Sequence, residues 1–502
     1  MKRGYVWALA ALVLLGLAGG VAVYQDTDRD PKPTPAGKLE KRDGEKRAPG
    51  QPKPYHGDLP SVAWINVRDA ILDQVVKGLD FPWAFEFVAP DELLITEFGG
   101  TMKRYHLTRG ELRNVEGLPD IPSGVGQVGL MDVALHPRFA DNGVIYFSHA
   151  VLSPKDAKKR ATAVSRAVLA GDRLTDVQRI FVATPYGGSP SNFGGALEFD
   201  NAGYLYIGTG DRSRQKQAQL GDTLTGKIIR LTADGEVPAD NPFVGDPQVD
   251  DRIYALGVRN PQGLVFDAVS GLLYEAEHGP MGGDEVNIIR RGANYGWPVT
   301  TYGANYSTQR IGSGTRAPGM EQPLFYYLPS IAVSPLTIYR GSMFPEWEGD
   351  LLVGALKGAH VNKLDLVDGA IKSEQRILTE LKGRVRDVKV APDGSIYVLV
   401  QNGGRIHRLY RDPENESLER PKSRSGAAVY KLVCASCHSA GLELVPQLSR
   451  PDDWADRLAQ GKAVLYQHTI DGFGDMPPRG LCENCTDEEL RGAVDYMLRR
   501  VQ

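Results

Sequence analysis

The segment Ala202-Gly-Tyr-Leu-Tyr-Ile207 joins a tight turn to a short run of alternating aromatic and aliphatic residues, the pattern of a hairpin leading into a buried β-strand. The same pattern recurs as Asp91-Glu-Leu-Leu-Ile-Thr96, Asn142-Gly-Val-Ile-Tyr-Phe147, Ser270-Gly-Leu-Leu-Tyr274, Gly349-Asp-Leu-Leu-Val353 and Asp393-Gly-Ser-Ile-Tyr-Val398, six occurrences in all. They lie about 45 to 80 residues apart, which is loose for a strict repeat and natural for blades with unequal loops. Turn punctuation alone would also suit a pair of β-sandwiches. Six units favour an all-β, six-bladed β-propeller, assigned to residues 61–412.

The whole chain of 502 residues is 24% charged with a formal net charge of -4. That balance offers no basic stripe for nucleic acid, so a small molecule or another protein is the expected partner. Lys2 and Arg3 precede an uncharged, mostly apolar run over residues 4–24, about the length that spans a bilayer. Residues 1–24 therefore read as a signal anchor or a signal peptide. The absence of an Ala-x-Ala site or a lipobox cysteine after the run favours the uncleaved anchor, with the chain beyond Gln25 outside the membrane. Residues 25–60 mix charges with Pro, Gly and Lys and have the composition of a flexible linker.

All four cysteines fall in two Cys-x-x-Cys pairs near the C-terminus. Cys434-Ala-Ser-Cys437-His438 has the spacing of c-type haem attachment, in which two thiols bond the haem and the following histidine ligates iron. A zinc site across both pairs fits poorly, because 44 residues separate Cys437 from Cys482. Met476, in Gly474-Asp-Met-Pro-Pro-Arg-Gly480, is the preferred second axial ligand, with His468 and Met497 as competitors. Val429, Leu432 and Val433 line a helical face leading into the motif, and Thr486-Asp-Glu-Glu489 forms a capping box before Leu490, Ala493, Val494 and Met497. In an exported domain, Cys482 and Cys485 are expected to form a local structural disulfide. The haem motif, the methionine loop, the late cysteine pair and the capped last helix together resemble the small cytochrome c5 family over residues 426–502, with 413–425 as a linker. The resemblance implies a small all-α domain with one covalent haem c that carries single electrons. Export together with c-type haem points to a bacterial periplasm, with the chain held at the inner membrane through residues 4–24.

Within the propeller, six motifs appear in order: Leu79-Asp-Phe-Pro-Trp83, Gly126-Gln-Val-Gly-Leu-Met-Asp-Val-Ala-Leu-His-Pro137, Arg259-Asn-Pro-Gln-Gly263, Glu277-His-Gly-Pro280, Gly282-Gly-Asp-Glu-Val-Asn287 and Asn294-Tyr-Gly-Trp-Pro298. Over roughly 330 residues this run resembles the soluble quinoprotein glucose/sorbosone dehydrogenase family. The resemblance implies a propeller carrying pyrroloquinoline quinone (PQQ) and Ca²⁺ that oxidises an aldose sugar or related alcohol. It assigns Arg259 and Asn260 to the quinone, and Lys357, Arg384 and Arg386 to the cations around its carboxylates, where planar guanidinium forks suit the ligand. Gly279 and Pro280 match carbonyls that hold the cofactor's Ca²⁺, Glu285 and Tyr295 match a second, structural Ca²⁺ site, and Gln127 matches a polar residue beside quinone and substrate.

One position breaks the pattern. The family's general base is a histidine in the segment that here reads Ser189-Pro-Ser-Asn-Phe-Gly-Gly-Ala196, which puts Asn192 at the catalytic position. An amide cannot take a proton, and such assistance typically contributes about 10² to 10⁴-fold. His278 could act as a substitute base, the substrate could need less help, or the propeller could have lost catalysis. The full cation set and the fused haem favour a quinohaemoprotein that passes electrons from PQQ to haem c and on to a periplasmic or membrane acceptor. The alternative is a non-catalytic, carbohydrate-binding propeller attached to an electron-transfer cytochrome.

Overall fold

Each of the six turn-and-strand segments becomes the hairpin into the second strand of an antiparallel blade: Glu92–Glu97, Val144–Ser153, Tyr204–Thr209, Leu272–Glu277, Leu351–Ala355 and Ile396–Val400. These runs are apolar without alternation because a propeller blade packs against a neighbour on each face. Leu93, Leu94 and Ile95 are all fully buried, although successive side chains point to opposite faces. The computed structural model describes residues 63–64, 67, 70–305, 311–411, 425–439, 445–474, 476–482 and 485–501. The expected anchor 1–24, the linker 25–60 and all but the last residue of the linker 413–425 lie outside the described residues.

Blades 1 to 6 occupy residues 82–115, 130–182, 194–256, 261–327, 333–377 and 385–410. Their innermost strands, Pro82–Ala89, Leu130–Leu135, Gly194–Phe199, Pro261–Asp267, Val333–Ile338 and Val385–Val390, each contact the next, and the last contacts the first. Ile71–Val76, from the N-terminal side, supplies the fourth strand of blade 6 by pairing with Arg405–Tyr410, so the ends of the described propeller lock the ring. Six hydrophobic clusters fill the six blade interfaces, for example Tyr146 and Val164 of blade 2 against Ile207 and Ile229 of blade 3. Blade 5 carries an extra parallel edge strand, Ala63–Trp64, against Ala370–Ile377, a pairing without a sequence signal. Gly194 pairs with Thr209, and Val385 with Val400. Registers of this kind put the start of each innermost strand and the end of its neighbour on one face of the ring.

The C-terminal region is helical. Gly426–Val429 passes through a π-turn at Tyr430–Cys434 into Ala435–His438, so the haem-attachment motif lies on one continuous helical stretch. The last helix, Asp487–Val501, packs against Gly426–Val429, where a Cβ on Gly426 would lie 1.8 Å from the Gly492 carbonyl. The capping box forms: Glu489 N–H donates to Thr486 Oγ1 at 3.2 Å, and Thr486 N–H to Glu489 Oε2 at 2.9 Å. Val429, Val433, Leu490, Ala493, Val494 and Met497 are buried; the Leu432 side chain lies outside the described residues. Cys482 and Cys485 form a disulfide. Tyr430–Cys434 touches the propeller at Ala63–Trp64. Among the described residues no helix is long and apolar enough to cross a membrane.

Candidate functional site

The loops leading into blades 2, 3 and 4 meet at one hydrogen-bonded knot on the site face. Asn192, just ahead of the innermost strand of blade 3, holds a left-handed φ of 55°, a conformation kept in a non-glycine residue only when its surroundings fix it. Its backbone N–H donates to Gln127 Oε1 at 2.7 Å, and its Nδ2 donates to Asp211 Oδ1 at 2.8 Å. Asp211 is fully buried and also accepts from Trp297 Nε1 at 2.8 Å and Ser213 N–H at 2.8 Å, while its own N–H donates to the Arg259 carbonyl at 2.8 Å. The bond to that carboxylate fixes Nδ2 and turns the Asn192 carbonyl oxygen away from Asp211, where it can accept from a ligand. The sequence reading placed Gln127 and Asn192 together; it missed Asp211 and Trp297, which hold Asn192 in position.

Arg259 and Asn260 open blade 4 beside this knot. The Arg259 guanidinium donates to the carbonyls of His278 at 2.7 Å and Gly279 at 3.0 Å. The Gly279 carbonyl expected for Ca²⁺ is therefore in contact with a cation here. Asn260 is fully buried, accepts from Gly194 N–H at 3.0 Å through Oδ1, and leaves Nδ2 without a partner. Arg386, also buried, bonds Gln262 Oε1 and Ser334 Oγ at 3.1 Å each, stacks 3.2 Å above the Trp83 ring and leaves Nε unpartnered. Burial lowers its pKa to about 9, with Arg384 adding to the effect. Arg384 and Lys357 lie exposed at the mouth of the same face.

His278 is pushed down to about 3 by burial and by the positive charges of Arg259 and Arg386, and its Nε2 has no partner. It is neutral near pH 7 and a weak proton acceptor, which counts against it as a substitute base. It sits among the positive charges of Arg259, Arg384 and Arg386, a setting that an acidic ligand would complete. A tricarboxylate quinone fits that test: the buried Asn260 Nδ2 and Arg386 Nε are donors that lack acceptors, and such groups cost free energy until paired.

Glu285 and Tyr295 share a cavity with Arg259, Glu277, His278 and Gly279, while Pro280 follows in the same loop. Gly279 has no room for a side chain, since a Cβ would lie 2.2 Å from the Gly283 carbonyl. Glu277 and Glu285 are directly opposed across neighbouring strands, with Glu275 paired to Asn287 one step away. Burial and mutual repulsion raise all three carboxyls, and Glu275 Oε1 and Asn287 Oδ1 lack partners. Oxygen donors crowded in this way suit a hard cation. Among the described residues no three His, Cys, Asp or Glu side chains form a ready metal cage, so backbone and ligand oxygens would have to complete one.

At the other end, His438 is buried and its Nδ1 donates to the Pro446 carbonyl at 2.8 Å. A carbonyl only accepts, so this bond fixes the tautomer and leaves the Nε2 lone pair for a metal. Cys434 and Cys437 take no part in the disulfide. Met476 is held by paired backbone bonds with Phe473 at 2.9 and 3.0 Å. Of its competitors, Met497 is buried in the helical core and His468 stacks on Phe473 with ring centroids 4.0 Å apart.

Residues 79–409 match the family Glucose / Sorbosone dehydrogenase, and residues 421–497 match Cytochrome C oxidase, cbb3-type, subunit III. Aldose sugar dehydrogenase YliI of Escherichia coli is 39% identical over 358 residues, covering 70% of this chain and 95% of that one. The solved PQQ-bound aldose sugar dehydrogenase of Streptomyces coelicolor superposes with a TM-score of 0.57 at 26% identity, covering 68% of this chain and 98% of that one. Cytochrome c5 of Azotobacter vinelandii is 34% identical over 77 residues, 15% of this chain and 93% of that one. The chain belongs to the glucose/sorbosone dehydrogenase family, with a propeller of the aldose sugar dehydrogenase type fused to a cytochrome c domain.

Proposed function

We propose that the protein is a periplasmic quinohaemoprotein, tethered by residues 4–24, that oxidises an aldose or related alcohol and passes the electrons through its own haem to an external acceptor. The observation that carries this reading is the pair of buried, unpartnered donors, Asn260 Nδ2 and Arg386 Nε, close to the positive charges of Arg259 and Arg384. Arg259, Asn260 and Arg386 would hold the quinone, with Lys357 and Arg384 at the mouth around its carboxylates. When bound, PQQ supplies a two-electron acceptor for hydride. Gly279 and Pro280 would offer carbonyls to its Ca²⁺, with Glu285 and Tyr295 at the second Ca²⁺ site; a cation there would relieve the repulsion between Glu277 and Glu285. Cys434, Cys437, His438 and Met476 would hold one haem c.

Asn192 limits the chemistry. Its carbonyl oxygen can accept a hydrogen bond from a substrate hydroxyl and aim it, with Gln127 alongside, but it cannot carry the proton away. Slow oxidation is the consequence. The test is to reconstitute the protein with PQQ and Ca²⁺, add a panel of aldoses and alcohols, and follow haem absorption in the natural protein and in Asn192→His. Slow haem reduction is expected in the natural protein, faster by about 10²-fold or more in the histidine variant. Haem that stays oxidised in both would support the carbohydrate-binding alternative instead.

A further inference from the structure

An aromatic stack runs from the quinone-side arginine to the surface of blade 1. The Arg386 guanidinium lies 3.2 Å above Trp83; Trp83 stacks on Phe98 with centroids 5.1 Å apart and planes at 13°; Phe98 meets Phe81 at 6.1 Å. Phe81 ends the stack on the site face, 51% exposed and held at a left-handed φ of 49°. Val125, in the loop before blade 2, is 49% exposed on the same rim, and that loop returns to Phe98 through the Leu130 N–H, which donates to the Phe98 carbonyl at 3.2 Å. Phe81 and Val125 thus present apolar side chains to solvent at the end of a stack that reaches into the pocket.

We propose that this rim is where the chain's own haem domain docks, through the face carrying Phe473 and Met476. The proposal rests on the quinohaemoprotein reading and adds the surfaces to it. Phe473 is 58% exposed, the most exposed aromatic ring of the haem domain, and is bonded through its backbone to Met476. In this structure both phenylalanines are open, and the haem domain touches the propeller at Ala63–Trp64. Arg405–Tyr410 runs away from the site face, so the chain leaves blade 6 at the opposite face, about 20 Å below. Residues 412–424 can span at most about 45 Å when extended, enough to return past the edge of the ring. Blade 6 also adjoins blade 1, so Phe81 is on the nearest rim. In the docked state a two-electron quinol would reduce two ferric haem equivalents in turn and release two protons to water. An external one-electron acceptor clears the haem between the two steps.

The first test needs no quinone. In the full-length haem protein, Phe81→Cys with Phe473→Cys should form an intramolecular disulfide under mild oxidation in most molecules, while Val367→Cys with Phe473→Cys, Val367 being the exposed last residue of the third strand of blade 5, should not. Equal cross-linking of the two pairs, or cross-links only between copies, overturns the proposal; the latter would make a second copy the occupant. The kinetic arm loads the apoprotein with pre-reduced PQQ and follows haem reduction, so a failure of sugar oxidation would not affect it. Phe81→Glu and Phe473→Glu should each slow that step at least tenfold, and Phe81→Lys combined with Phe473→Glu should recover it. Val125→Glu serves in place of Phe81→Glu should that variant not fold. Unchanged rates in all of these overturn the proposal.

Discussion

At the scale of single residues, the site turns on which atom of Asn192 faces the pocket. Asp211 decides it, because the carboxylate accepts from Asn192 Nδ2, Trp297 Nε1 and the Ser213 N–H at 2.8 Å each and can only accept. Replacing it with an amide would aim donors at donors. In the Asn192→His background, the same carboxylate would accept from the ring nitrogen that takes the place of Nδ2 and leave the other nitrogen basic. We therefore expect Asp211→Asn to remove most of the gain in kcat/KM that Asn192→His brings, by about 10-fold or more, with a shifted pH profile measured in the same assays. Asp211 was not legible in the sequence. Gly210-Asp-Arg-Ser213 reads as an ordinary turn, and the partners of Asp211 lie 19 and 86 positions away, brought together only by the ring. Arg259, Asn260 and Arg386, by contrast, sit in motifs that announce them.

At the scale of elements, second strands of blades are easy to read and outer strands are not. Leu351–Ala355 is buried at every position, so its apolar run stands out, whereas Glu111–Val115 and Arg173–Val182 face water over most of their length and carry mixed polar sequence. The loop at Gly279 shows how an element constrains a site. A methyl group there meets the Gly282 and Gly283 carbonyls at 2.3 and 2.2 Å, so the loop must shift. Gly279→Ala should weaken PQQ and Ca²⁺ binding at least tenfold in calorimetric titration while the melting temperature of the apoprotein falls by only a few degrees. In the haem domain, Thr486→Ala removes one half of the capping box and should cost about 1 kcal/mol, measured by denaturant unfolding of the haem-loaded protein.

At the scale of the whole molecule, closing six blades into a ring brings charges from distant parts of the chain to one axial channel. Glu86 from blade 1, Asp132 from blade 2, Glu198 from blade 3, and Asp387 and Lys389 from blade 6 all project from innermost strands, with Lys389 paired to Glu86. Burial, only partly offset by Lys389, raises Asp132 to about 7 and Glu198 to about 8. The folded ring therefore holds protons that the unfolded chain, with ordinary carboxyls, gives up above about pH 4. Since the native state binds more protons, stability falls as pH rises from there to the folded values, and the loss is complete only above them. Below about pH 6.5 an opposing effect sets in, because buried His149, lowered to about 4, and His278, lowered to about 3, stay neutral while their unfolded counterparts take up protons and favour unfolding. Between about pH 6.5 and 8 the raised carboxyls outnumber the opposing Lys227, whose ammonium pKa burial lowers to about 7, so the melting temperature of the propeller should decline across that interval. Asp132→Asn and Glu198→Gln keep the shapes but remove the titrating protons; each should flatten the decline in scanning calorimetry, and the pair should flatten it further. A slope unchanged in both variants would mean that water in the channel solvates these carboxylates as well as bulk solvent does, and that the ring carries its interior charge without cost.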